Sequence, residues 1–127
     1  MEALLVLDEN LPAPLAAELR ARGRRARSFA EMGLVGLSDP EALVALGEVG
    51  EPFVLVTADP HLPAAQRALV DALALTVAVV RPPPADADAD HPAWQREVVH
   101  RRAHLMVSQP RGSVLVHGPS GAAPARG

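Results

Sequence analysis

Short apolar runs alternate along this chain with longer stretches of helical spacing. Leu4–Leu7 is four apolar residues without alternation, as in a strand buried on both faces. Phe53–Val56 and Leu75–Val80 repeat that pattern. Pro12 opens the first helical segment, with Leu11, Leu15 and Leu19 on one face and Gly23 as its C-cap. Ser38, with Glu41 three residues on, forms a capping box. Leu43, Val44 and Leu46 carry that helix to about Gly47. Asp59-Pro60 starts another, to about Leu73. Arg25–Phe29 reads as a short strand, and Glu31–Leu37, with Gly33 and Gly36, as a loop. Arg81–Asp90 holds three consecutive prolines and is a loop. Pro92–Val107 has helical spacing at Trp94, Val98 and Leu105, and Ser113–His117 reads as a final edge strand. The order β-α-(β)-α-β-α-β predicts an α/β fold, a short and mainly parallel central sheet flanked by helices.

With 127 residues, one domain is expected, over 1–117. Gly118–Gly127, rich in Gly, Pro, Ala and Ser, is expected to be a disordered tail. Apolar residues are 49% of the chain but aromatics only 2%, so Leu, Val and Ala must build the core. All 12 basic residues are Arg. The net charge of −3 restricts any nucleic-acid binding to a local patch. The absence of Cys excludes disulfides, thiolate metal sites and a Cys nucleophile. The amino terminus lacks the basic region of a signal peptide, and no run approaches the roughly 18 apolar residues of a membrane span. A cytoplasmic protein with no membrane contact is expected.

The chemistry lies in acidic clusters next to the apolar runs. Asp8-Glu9-Asn10 follows the first strand, and Thr57-Ala58-Asp59-Pro60-His61 follows the second. Ser38-Asp39 precedes a helix. In open parallel sheets, ligands gather at the carboxyl ends of the strands. Carboxylates converging there suggest a divalent cation and phosphoester chemistry. Plainer roles exist for each. Asp8 or Asn10 can end a strand and cap a helix, Asp39 favours a helix dipole, and Asp59 before Pro60 makes a good N-cap. Thr57 would orient Asp59 or a water, and His61 is a ligand, a proton shuttle or a phosphate contact, or a surface residue. Arg20, Arg22, Arg24, Arg25 and Arg27 form the densest positive region, suited to a nucleic-acid backbone or to a solvated helix end. Asp86, Asp88 and Asp90 read as an acidic linker, because His91 stands where a calcium loop needs Gly. Glu97, His100 and His104 read as a solvated helix face. There is no Gly-rich phosphate loop and no Gly-x-Ser-x-Gly turn.

Leu7-Asp8-Glu9-Asn10-Leu11-Pro12, Gly36-Leu37-Ser38-Asp39 and Val54-Leu55-Val56-Thr57-Ala58-Asp59 together resemble the small PIN-like proteins of the DUF5615 group, related to Mut7-C. The resemblance covers roughly residues 3–80. It implies a three-layer PIN-like fold and an Mg²⁺- or Mn²⁺-dependent ribonuclease, the toxin of a toxin–antitoxin pair. The implied metal and catalytic residues are Asp8, Asp39 and Asp59, with Glu9 nearby and Thr57 matching the group's strand-end Thr; Asn10 and His61 are expected to support the site from their places in the two strand-end clusters. The implied partners are RNA and an antitoxin protein; from the positive region, Arg22, Arg24 and Arg25 are expected to hold the RNA, and a homodimer is expected as well. The group commonly places Asp and then Phe where this chain has His61 and Leu62. The exchange removes a carboxylate and favours a metal that accepts imidazole. The alternative is a catalytically degenerate PIN-like module that binds RNA or protein. A phosphoacceptor receiver domain is disfavoured, since that family needs a Lys after a late strand and this chain has none.

Overall fold

The computed structural model describes residues 2–125. Six strands, β1 (Leu4–Leu7), β2 (Ala26–Ser28), β3 (Phe53–Thr57), β4 (Val77–Val80), β5 (Val114–His117) and β6 (Ala122–Pro124), form one sheet in the order β2-β1-β3-β4-β5-β6. The first five are parallel, and β6 pairs antiparallel with β5. The helices are α1 (Leu15–Ala21), α2 (Phe29–Met32), α3 (Asp39–Gly47), α4 (Leu62–Ala65), α5 (Arg67–Ala72) and α6 (His91–Met106). None among the described residues is long and apolar enough to cross a membrane.

The unalternating runs have a direct cause. Leu5 and Leu7 point to one face of β1, where they pack with Leu15 and Leu19 of α1 and Val98 and Met106 of α6. Leu4 and Val6 point to the other, against Leu43 and Leu46 of α3 and Val70 of α5. Both faces are covered, so every strand position needs an apolar side chain. The predicted α/β sheet flanked by helices is therefore present.

Several boundaries differ from the sequence reading. The first helix begins at Leu15 rather than Pro12, since residues 9–14 form turns in which the amide of Leu15 reaches back to the Pro12 carbonyl (3.1 Å). The helix expected from Asp59 to about Leu73 is two short pieces that meet at Gln66. Residues 31–37 are not all loop, because Ser28 and Glu31 form a second capping box that starts α2. Glu31 is the third helical residue after Ser28, the same spacing read correctly at Ser38 and Glu41. The predicted edge strand at 113–117 is internal, and the segment assigned to a disordered tail supplies the edge. Residues 118–121 turn the chain, and β6 occupies the free hydrogen-bonding side of β5. Residues 126 and 127 lie outside the described residues.

Asp90 is more than linker. Its carboxylate accepts from the Ala93 amide (3.0 Å) and caps the 16-residue α6. Asp90→Ala should cost about 1 kcal/mol in chemical denaturation. Asp86→Ala and Asp88→Ala should leave the midpoint unchanged, and equal losses at all three positions would remove the capping account.

Candidate functional site

In this strand order, connections leave β1 and β3 in opposite directions, which opens a crevice at their carboxyl ends. Asp8 follows β1 there, and Thr57 ends β3. Register places Leu7 beside Val56, so the two strand ends are neighbours. The Asp8 amide continues the ladder to the Val56 carbonyl (3.0 Å). The side chains then meet directly. The buried Thr57 hydroxyl donates to Asp8 Oδ2, and the Asn10 amide donates to Asp8 Oδ1 (3.0 Å). The Asp59 amide donates in turn to Thr57 Oγ1 (3.1 Å). Thr57 therefore joins the two predicted acidic clusters through one hydroxyl.

Asp8 is 6% exposed. Burial pushes its carboxyl up to about 6, against the pull of the Thr57 and Asn10 hydrogen bonds. The charges of Asp59 and Glu9 push the same way, so both acids lie near it. Asp39 lines a narrow groove with Asp8, Glu9 and Asn10. Its own position, first in α3, is set by the Ser38–Glu41 box. His61 is exposed, and its amide donates to Asp59 Oδ1 (2.9 Å). Asp59 is thus held in a local turn before α4 and does not cap that helix, whose N-cap is His61.

The three predicted carboxylates do not close around one point. Among the described residues, no three His, Asp or Glu side chains are arranged to hold one metal ion. The donors that do meet, Asp8 with Asp59 nearby, suit a hard cation that keeps most of its waters and shares a phosphate. Such a cation needs only one or two protein carboxylates.

The arginines expected to hold RNA are at the other edge of the sheet. The Arg25 carbonyl accepts from the Leu5 amide (2.9 Å), which puts Arg22–Arg25 beside the amino ends of the strands. Arg24 is paired with the Glu2 carboxylate, and Arg25 with Glu51 and the Glu2 carbonyl. Arg22 is exposed near Glu18 and Arg96 of the α1–α6 surface. None of the three reaches the carboxylates. They follow α1, and a helix that leaves a parallel strand must return to the amino edge before the next strand begins.

Sequence reading counted Arg20 and Arg27 in the positive region but did not set them beside the acidic cluster. Arg20 lines a cleft of about 410 Å³ together with Asp8, and Arg27 lines the adjoining hollow with Arg20 and Glu31. Arg81 follows β4 on the same edge as Asp8 and Thr57. The signal for Arg20 was present in the Ser28–Glu31 box, since that turn aims Glu31 at it (2.8 Å). The His100 ring is committed elsewhere, to Glu18 of α1 (2.9 Å). Compared with protein-family models, curated proteins and solved structures, the chain matches none.

Proposed function

We propose that this chain is a PIN-like ribonuclease that hydrolyses RNA phosphodiesters with the help of Mg²⁺ or Mn²⁺, acting as the toxin of a toxin–antitoxin pair. The observation that carries this reading is Asp8, a buried carboxylate at the β1–β3 crevice with the charge of Asp59 beside it. Asp8 and Asp59 would hold the cation, with Glu9 and Asp39 on the rim. When bound, it supplies Lewis-acid polarisation of the phosphate and lowers the pKa of an attacking water. Thr57 keeps Asp8 oriented, because its hydroxyl can donate only while Asp8 Oδ2 faces it. With its carboxyl at about 6, Asp8 is mostly ionised at pH 7 and still able to take a proton.

The test is cleavage of a mixed single-stranded and structured RNA pool with Mn²⁺ or Mg²⁺. Wild type should cut, and chelator should stop it. Asp8→Asn combined with Asp59→Asn should lower the rate at least about 100-fold, the scale of losing a properly placed acid–base or metal-binding group. Arg24→Ala should leave the rate unchanged. Metal-dependent cleavage retained by the double variant would end this assignment.

A second reading has its own support. Both Asp8 oxygens accept hydrogen bonds from the protein, and no three-residue metal cluster forms among the described residues. These observations favour a catalytically degenerate PIN-like module that binds RNA or a partner protein. Calorimetry separates the two readings, since the degenerate module takes up no Mn²⁺ heat that Asp8→Asn removes.

A further inference from the structure

The cleft beside Asp8 offers more than access to the carboxylates. Leu7, Leu11, Pro12 and Phe29 give it an apolar lining. Its volume, about 410 Å³, is in the range of small-molecule sites. Arg20 and Glu31 line it as well, as a pinned pair. Arg20 Nη1 donates to the Ala26 carbonyl (2.9 Å) and to Glu31 Oε1 (2.8 Å), while Nη2 donates to Glu31 Oε2 (2.8 Å). Glu31 is itself tied by the Ser28 amide (2.9 Å). A bidentate guanidinium–carboxylate pair is flat, and three hydrogen bonds keep this one from turning. A flat, pinned guanidinium is a stacking surface for a nucleobase. Beyond it, exposed Arg27 lines the next hollow.

We propose that this cleft is a base subsite: one unpaired RNA base stacks on the Arg20–Glu31 plane, its neighbouring phosphate lies at Asp8, and the next phosphate meets Arg27. This inference rests on the RNA reading above but not on hydrolysis. Continuity favours a nucleotide over an apolar peptide, because Asp8 lines both the cleft and the acidic groove. It also accounts for how a chain of net charge −3 captures RNA, through stacking and the exposed charge of Arg27.

The experiment is fluorescence anisotropy with a labelled single-stranded RNA hexamer and an abasic hexamer of the same backbone, in Ca²⁺, an oxygen-liganded cation that can join phosphate to carboxylate, with both hexamers checked to be uncut after the reading. Wild type should bind the base-containing hexamer about tenfold tighter. Ala17, exposed on α1 and lining the cleft, fills it when enlarged, so Ala17→Phe should erase the preference. Arg27→Ala should weaken both hexamers alike and reduce the salt slope by about one. Equal binding of the two hexamers by wild type, or binding of neither, would overturn the proposal even if Ala17→Phe does not fold. A folded Ala17→Phe that keeps the preference would overturn it too. Cleavage without base preference removes the subsite and leaves the hydrolysis reading, and base-dependent binding without cleavage does the reverse.

Discussion

Asp8→Asn is expected to be inactive and yet more stable than wild type at pH 7. Burial is the largest influence on Asp8 and raises its carboxyl from 3.8 to about 6. Between those two values the folded chain keeps a proton that the unfolded chain has released. Stability therefore falls as pH rises through that window. Each unit is worth about 1.4 kcal/mol, so the ionised carboxylate costs the metal-free fold roughly 3 kcal/mol at neutral pH. Asn removes the charge and keeps an oxygen for the Asn10 amide. The Thr57 hydroxyl can turn to accept from the new side-chain amide. The expected gain is roughly 2–3 kcal/mol, or a melting point higher by roughly 10 °C. Mn²⁺ should stabilise wild type and not the variant, because only the carboxylate favours the cation. Thermal melts with and without Mn²⁺ read both effects. Loss of stability together with loss of cleavage would instead make Asp8 a structural cap at the end of β1.

Gln109→Ala should cost roughly 1–3 kcal/mol, most of it from one buried N–H left without a partner. Gln109 is 8% exposed and serves three strand-end groups. Its side-chain amide nitrogen donates to the Val77 carbonyl (3.0 Å) and to the Ser113 hydroxyl (3.2 Å). A carbonyl only accepts, so the amide NH₂ must face Val77 and the amide oxygen must face His117 Nε2 (2.8 Å). That orientation places the His117 proton on Nε2. Alanine would leave the His117 N–H buried without a partner, at a cost of about 1–3 kcal/mol, while the Val77 carbonyl keeps its ladder bond to β5. Urea denaturation measures the loss, and one under about 1 kcal/mol would show that the network contributes little.

The same histidine shapes the acid response. Burial first, and then the Arg102 charge, lower His117 from 6.5 to about 4. As pH falls from 6.5 to about 4, the unfolded chain takes up the proton and the folded chain does not, so stability drops. This slope opposes that of Asp8 over nearly the same window. Wild-type stability should therefore be almost flat from about pH 5 to 6, above the range where Glu18, Glu31 and Glu41, held low by their hydrogen bonds, begin to matter, while Asp8→Asn should lose about 1.4 kcal/mol on acidification across that unit. Parallel curves for the two proteins would contradict the opposed pair.

Much of the sheet was legible because strands covered on both faces leave an unbroken apolar signature, as at Leu4–Leu7 and Phe53–Val56. The Ser38–Glu41 box was equally plain, since capping is local chemistry. The Ser28–Glu31 box obeyed the same rule but was masked by Gly33 and Gly36, which follow it closely. β6 left no signature. Ala122–Pro124 is exposed and weakly strand-forming, and it is held by the hydrogen-bonding edge of β5 rather than by its own side chains.

By itself the sequence determined which residues enter the core, which turns carry acids, and that those acids follow β1 and β3. Tertiary structure decided which of them meet. Asp8 and Thr57 touch only because β1 and β3 are neighbours in the sheet, and 49 residues of chain separate them. Arg22–Arg25, within 17 residues of Asp8, end at the far edge because one helix intervenes. Contact between side chains depends on strand order and direction, which arise from packing the whole chain, whereas periodicity and capping depend on neighbours a few residues away.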